Sequence, residues 1–149
     1  MKKVVNEDAR HTISWIRWVA QPEDLAKFAK DDRRDIRIAV AKHDLTPAET
    51  LIELADDSDI NVRNAVARNP NSPTKALEIL WRNALPCDRE MSTFISRHPN
   101  ASPEILEEIL ESLSTSKDRS HNWYVLKNIS LNPNTSQEVR EEVRESLRN

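Results

Sequence analysis

Four basic residues lie at similar places in the sequence and could together bind anions. Arg17, Lys42, Arg68 and Arg97 each stand near the end of a predicted helix, and the last three directly precede a turn that begins with His or Asn. A row of such cations can bind the carboxylates of an acidic protein or the phosphates of a nucleic acid. Cations at helix C-termini also interact favourably with the helix dipole, by about 0.3 to 1 kcal/mol each, so a structural role is the alternative.

Tryptophan and histidine are the other residue types that could form a site. Trp18 follows the first of these cations and would be a binding hot spot if it is exposed, although burial is favoured for so large a side chain. His43 and His98 share one repeat position two units apart, or roughly 16–20 Å for helices that pack at 8–10 Å. That separation is too large for one metal ion, so we expect both histidines to cap backbone groups in turns.

The sequence carries no catalytic or cofactor motif. It contains no glycine among its 149 residues, and phosphate-binding loops, dinucleotide-binding turns and serine-hydrolase elbows all need glycine. Cys87 is the single cysteine, which excludes an internal disulfide and a cysteine-rich zinc or iron–sulfur site. We therefore expect no enzyme, no cofactor and no metal site.

Charge and hydropathy narrow the kind of partner and the compartment. The net charge of -3 and the pI near 5.8 argue against a dedicated nucleic-acid-binding protein, which is usually strongly basic. The two lysines at the start meet Glu7 and Asp8 where a signal peptide needs an apolar stretch, and no apolar run is long enough to span a membrane. We expect a cytoplasmic protein with a protein partner and no membrane association; its oligomeric state stays open.

A polar turn recurs through the chain and divides it into helical units, which predicts a repeat architecture. Each turn ends one helix and begins another; the turns are His43–Pro47, Asn69–Pro73, His98–Pro103 and Asn132–Ser136. A hydroxyl residue followed by proline predicts an N-cap and a first helical residue, as at Thr46-Pro47, Ser72-Pro73 and Ser102-Pro103. Thr46 with Glu49 predicts a capping box.

Each unit holds two helices with apolar residues at helical spacing. The second helices are predicted to begin at Asp8, Asp59, Asp88 and Asn122, with Asp32 as the cap beside Arg33. His11, Ser14 and Trp15 take the places that Ile36, Ala39 and Val40 occupy in the next unit. Arg37 and Arg63 are predicted to pair with the acids at 31–32 and 56–57. The irregular spacing of the turns predicts loops at 81–87 and 112–121, the second being the more mobile.

These units form one predicted domain over residues 1–149. It consists of a capping helix at 6–20, repeats at about 21–46, 47–72, 73–102 and 103–136, and a terminal helix at 137–149. Charge differs between the two helices of a unit, since the first helices sum to -10 and the second to +6. We expect an acidic face and a basic face, which would orient a charged partner.

The stretch Asp59–Pro73, with the sequence DINVRNAVARNPNSP, resembles the leucine-rich repeat variant family, which is similar in style to HEAT repeats. The resemblance extends to the units ending at Pro47 and Pro103 and weakens at both ends of the chain. It implies an all-α, right-handed superhelix, or solenoid, of about five two-helix repeats, some of the helices being 3₁₀ in character. Solenoids of this kind typically act as binding scaffolds, and the family has no shared catalytic residues.

We therefore expect a non-catalytic scaffold that binds a protein through Arg17, Trp18, Lys42, Arg68 and Arg97. The alternative is a HEAT-like solenoid that binds nucleic acid or phosphate with the same basic residues. The overall acidity favours the protein partner.

Overall fold

The computed structural model describes residues 9–84, 88–114 and 119–148, and every regular element in these ranges is an α-helix. The prediction of an all-α fold is confirmed, but the described residues contain no 3₁₀ helix of the kind that the resemblance implies. In chain order the helices are α1 (Ala9–Val19), α2 (Pro22–Phe28), α3 (Arg34–Ala41), α4 (Ala48–Leu54), α5 (Ile60–Arg68), α6 (Thr74–Arg82), α7 (Arg89–Arg97), α8 (Pro103–Ser114), α9 (Arg119–Leu131) and α10 (Gln137–Ser146).

The odd-numbered helices pack in series, α1 on α3, α3 on α5, α5 on α7 and α7 on α9. The even-numbered helices lie against them: α2 contacts α3, α4 contacts α3 and α5, α6 contacts α5 and α7, and α8 contacts α7 and α9. The α4 and α6 helices also contact each other, and α10 packs on α9. The odd-numbered helices thus form an unbroken series, and each even-numbered helix packs on at least one of them.

A pair of buried residues four positions apart fixes each odd-numbered helix on the core. The pairs, all nearly or fully buried, are Thr12 and Ile16, Ile36 and Val40, Val62 and Val66, Met91 and Ile95, and Val125 and Ile129. The predicted register of the first helix is therefore wrong by one residue, because His11 and Ser14 are exposed while Thr12 and Ile16 are buried. The helical period of the apolar residues could not by itself identify the buried face of α1, because this helix has apolar residues on several sides.

Two of the predicted helix caps are confirmed. The carboxylate of Asp59 accepts a hydrogen bond from the backbone N–H of Asn61, and that of Asp88 accepts one from the backbone N–H of Met91. Such bonds satisfy N–H groups that have no partner within the helix.

Other predicted helix starts are wrong or lie outside the described residues. Asp31, not Asp32, accepts the backbone N–H of Arg33 ahead of α3. Asn122 lies inside α9, where its side-chain amide donates to the Leu113 carbonyl. The α8 helix extends to Ser114 and α9 begins at Arg119, so the 112–121 loop is shorter than predicted; its centre and the cap predicted at Asp8 are among the residues not described.

The turn hydroxyls close the preceding helix instead of opening the next one. Thr46 donates to the Val40 carbonyl at 2.6 Å and Ser72 donates to the Val66 carbonyl at 2.6 Å, in each case six residues back. The cap position of α4 and α6 is the proline that follows. The predicted N-caps at Thr46 and Ser72, and the capping box at Thr46, are therefore wrong.

The hydroxyl residue that precedes an even-numbered helix occupies one of two positions in its turn. Ser102 and Ser136 sit one place later in their turns than Ser72 does, and they are true caps, since they accept the backbone N–H groups of Ile105 and Val139. Thr135 repeats the role of Ser72 by donating to the carbonyl six residues back. Ala101 occupies that hydroxyl position in the third turn.

The third turn consequently offers a testable gain in stability. Ala101 is fully buried, and its neighbouring Ile95 carbonyl accepts one bond from the His98 backbone N–H, as Val66 does from Asn69. Ala101→Ser should add the missing bond and raise the free energy of unfolding by about 1 kcal/mol, measured by urea denaturation. The reciprocal change Ser72→Ala should lower it by about the same amount; a serine at 101 that destabilises would contradict the role assigned to these hydroxyls.

Successive turns are joined by the side chain at their first position, and we call Asn69, His98 and Asn132 the turn ladder. The Asn69 amide donates to the carbonyls of Ala41 and His43, and its oxygen accepts the backbone N–H of Asn71. Asn132 makes the same set of bonds, donating to Ser96 and His98 and accepting from Asn134. Each of these buried side chains thus satisfies backbone groups of two turns at once.

In the turn ladder, His98 bonds to the backbone of two turns, as the asparagines do. The Nε2 atom of His98 lies 2.8 Å from the Asn69 carbonyl oxygen, and its Nδ1 atom accepts the backbone N–H of Asn100. This pattern requires the neutral ring with the proton on Nε2. The prediction that the histidines cap turn backbone is confirmed, since His43 likewise accepts the backbone N–H of Leu45 through Nδ1.

Arg140 of α10 ends the turn ladder. Its guanidinium donates to the carbonyls of Ser130, Asn132 and Thr135. The first two are equivalent to the Ser96 and His98 carbonyls that accept from Asn132 one unit earlier. The arginine therefore satisfies the acceptors that a further turn would otherwise bind.

Candidate partner-binding face

Three adjoining hollows follow the outer surface of the odd-numbered helices. One of about 470 Å³ lies between α1 and α3, one of about 410 Å³ lies between α3, α5 and the start of α7, and one of about 460 Å³ lies where α5 and α7 meet their turns. The first two share Asp35, Ile38 and Lys42, and the last two share Arg68. We call this continuous depression the odd-helix groove.

The exposed residue two places after each buried pair is equivalent from one odd-numbered helix to the next, and we call this place the ladder position. It holds Trp18, Lys42, Arg68, Arg97 and Leu131, in that order. Three of the predicted cations therefore share one position on α3, α5 and α7. Trp18, and not Arg17, is the equivalent residue on α1, whereas Arg17 is the one that lines the first hollow.

The arginines of this chain fall into two groups by what they bind. Arg37 binds the Asp57 carboxylate and the carbonyls of Asp31 and Asp32, and Arg63 donates to the carbonyls of Asp57 and Ser58. The predicted pairing is thus confirmed for Arg37, whereas Arg63 is bound by backbone oxygens.

The cations at the ladder position belong to the other group. Lys42, Arg68 and Arg97 are exposed, and within the described residues no carboxylate or carbonyl oxygen binds their side chains. Arg68 and Arg97 are each the last residue of a helix, so the helix dipole also favours them there. Their charges remain available to a ligand.

Phe94 holds Arg68 in a fixed orientation. The guanidinium carbon lies 4.2 Å from the centroid of the Phe94 ring, which is a cation–π contact. Helical spacing beside Met91 and Ile95 predicts that Phe94 is buried, but its ring is only half-buried and lines the hollow with Arg68 and Arg97. The signal for it was the small residue at the equivalent places, Ala39 and Ala65.

Cations outnumber carboxylates in the groove. Its lining includes the basic residues Arg17, Arg34, Lys42, Arg68 and Arg97 against the acidic residues Asp35 and Glu90. Glu90 accepts a hydrogen bond from the Asn64 amide at 2.8 Å, and Asp35 lies 3.7 Å from Arg34. The groove is therefore basic, with two fixed negative points that would repel a continuous phosphate backbone.

His98 forms part of the groove floor without being a free titrating group. It lies beside Arg68, Arg97 and Phe94 and is almost fully buried. Burial lowers the pKa of the His98 ring, and the bond to the Asn69 carbonyl opposes this only in part. The ring is neutral near pH 7 and belongs to the turn ladder.

The large aromatic residues divide between core and surface. Trp15 packs edge-on against Phe28 with centroids 5.8 Å apart, and Trp81 lies partly buried against the core. Trp18 is 78% exposed, so the burial favoured for a side chain of this size does not hold at this position. Trp123 and Tyr124 are also exposed and contact each other on α9.

The opposite charge collects at another hollow, of about 580 Å³, between α8, α9 and α10. Four glutamates line it over an apolar base: Glu107, Glu111, Glu138 and Glu142. Among the described residues, no three His, Cys, Asp or Glu side chains come together as a metal site requires. The basic groove and this acidic hollow agree with the charge difference between first and second helices.

The chain matches no family model, and no solved structure matches it. No helix in the described part of the chain is both long and apolar enough to cross a membrane.

Proposed function

We propose that this chain is a non-catalytic scaffold that binds a protein partner in the odd-helix groove. The observation that carries the proposal is a set of three exposed cations at one repeat position: Lys42, Arg68 and Arg97. Within the described residues, no carboxylate of the chain forms an ion pair with any of them. Arg37, Arg63 and Arg140, by contrast, bind backbone or carboxylate oxygens. Trp18 adds a large exposed aromatic side chain at the same position on α1.

The architecture that we propose is a right-handed, HEAT-like solenoid of the leucine-rich repeat variant kind. The resemblance of Asp59–Pro73 to that family supports it, and so does the turn ladder, which repeats the same bonds between successive turns. Contacts run unbroken from α1 through α3, α5 and α7 to α9, as expected if the odd-numbered helices form the inner, concave row. The single cysteine favours a cytoplasmic setting for the protein.

The rival function is binding to nucleic acid through the same cations. Asp35 and Glu90 in the groove and the net charge of -3 both disfavour it. Binding to phosphates would weaken steeply with salt, because it releases condensed counterions.

Affinity purification from cell extract with matched variants tests the proposal. The double variant R68E/R97E should lose a protein that the wild-type chain retains. The control K27E/R82E reverses two exposed charges on the even-numbered helices α2 and α6, and it should retain that protein. A partner that stays bound to R68E/R97E would show that the groove is not its binding surface.

A further inference from the structure

The repeat spacing of the groove selects the conformation of its ligand, provided that the groove binds a protein as proposed above. Lys42, Arg68 and Arg97 stand at one position on α3, α5 and α7, which pack directly on one another. Packed helices lie about 8–10 Å apart, so successive cations advance by about that distance. A ligand that pairs with all of them must present acidic groups at the same interval.

A polyproline II segment meets this requirement with every third residue. It rises about 3.1 Å per residue with three residues per turn, so side chains three apart point the same way and lie about 9 Å apart. A β-strand does not, because residues three apart point to opposite faces. A segment of this form, bearing carboxylates at every third position, could pair with Lys42, Arg68 and Arg97 in turn.

The surroundings of Arg68 and Arg97 suit the rest of such a segment. Pro70, Phe94 and Pro99 line the same hollow and provide an apolar, partly aromatic surface. Proline-rich segments bind to grooves of this kind and are already extended before binding. Because Phe94 holds the Arg68 guanidinium in place, less side-chain freedom is lost when a carboxylate pairs with it.

The residues at the ladder position on the first and last odd-numbered helices predict the length of the ligand and the side chains at its two ends. Trp18 and Leu131 hold the ladder position on α1 and α9 and are 78% and 70% exposed. Each lies one helix beyond the row of cations, and apolar side chains of a ligand would cover them. Five ladder positions with a three-residue step correspond to a segment of about thirteen residues.

We infer that the odd-helix groove binds an extended acidic segment in the polyproline II conformation. The segment carries three carboxylates, each three residues from the next. An apolar residue lies three residues before the first carboxylate, and another lies three residues after the last. The juxtaposition that carries the inference is the row Trp18, Lys42, Arg68, Arg97, Leu131 on successive packed helices.

Fluorescence anisotropy with synthetic peptides tests this inference on the full chain. The first peptide has leucine at both ends, glutamate at the fourth, seventh and tenth of thirteen residues, and proline elsewhere. The second has the same composition with the three glutamates adjacent. We expect the first peptide to bind at least tenfold more tightly than the second, and R68E/R97E to lose at least tenfold for the first while K27E/R82E does not.

Register is tested by charge exchange. A peptide with lysine in place of its central glutamate should bind R68E at least tenfold better than it binds the wild-type chain. Equal binding of the two glutamate peptides, or tighter binding of a helical peptide with glutamate at every seventh residue, would overturn the inference but leave a protein-binding groove intact. Salt-sensitive binding of duplex DNA in the groove, with no binding of either peptide, would overturn both proposals.

Discussion

Replacing Asn69 with alanine is expected to lower the free energy of unfolding by about 3 kcal/mol. The Asn69 side chain is 3% exposed and makes three hydrogen bonds, to the carbonyls of Ala41 and His43 and from the backbone N–H of Asn71. Its removal leaves these backbone groups without that partner in a site too enclosed for water to replace the amide freely. Urea denaturation followed by circular dichroism measures the change.

Two further variants show whether the bonds or the volume matter. Asn71→Ala removes an exposed amide that donates only to the Asp44 carbonyl, at 2.9 Å, and it should cost well under 1 kcal/mol. Asn69→His should restore most of the loss, because His98 fills the equivalent place with a neutral ring. If Asn69→Ala unfolds no more easily than Asn71→Ala, the turn ladder has no energetic role.

The substitution Arg37→Met is expected to cost about 2 kcal/mol at pH 7. The Arg37 and Asp57 side chains are 15% and 9% exposed, and the guanidinium binds both carboxylate oxygens at 2.6 and 3.1 Å. Methionine keeps most of the packing volume but leaves the Asp57 charge without its cation. Lys30→Met is the matched control, because Lys30 and Glu53 form a largely exposed pair at 3.8 Å that contributes little.

The Arg37 effect should depend on pH in one direction. Burial raises the pKa of Asp57, but the bonds from Arg37 and from the Asp59 backbone N–H outweigh burial and leave that pKa below its ordinary value. The stabilisation is therefore fully present above the ordinary carboxyl pKa of about 4 and is lost as the pH falls through the lower folded-state value. The difference in unfolding free energy between wild type and Arg37→Met should shrink in acid; a difference that stays constant would exclude the ion pair as its source.

Local signals let the sequence predict much of the fold. Asp59 and Asp88 were identifiable as caps because a cap bonds to an N–H within three residues of itself. The pairing of Arg37 with an acid of the next unit followed from the repeat period, which places equivalent residues side by side. The histidines of the turns were also predictable, since asparagine shares their position.

Features that depend on exact register were not predictable. The dipeptide Ser-Pro does not show whether the serine hydroxyl caps the next helix or bonds to the end of the previous one. Only the three-dimensional contacts distinguish Ser72 from Ser102. The predicted register of the first helix is wrong by one residue because its apolar residues are compatible with either of two buried faces. Phe94 was missed because it packs under Arg68 at the surface, whereas an apolar residue at helical spacing predicts burial.

The turn ladder gives the chain a direction of growth. Asn69, His98 and Asn132 each donate backward to the turn before their own, so a unit copied into the middle of the array would bring its own donor and meet acceptors already in place. Among the turns that the structure describes, the one that begins at Asn132 differs, because Arg140 binds its carbonyls. A unit duplicated within the array would therefore keep these bonds without compensating changes, whereas a turn placed directly on the one at Asn132 would compete with Arg140 for the same carbonyls.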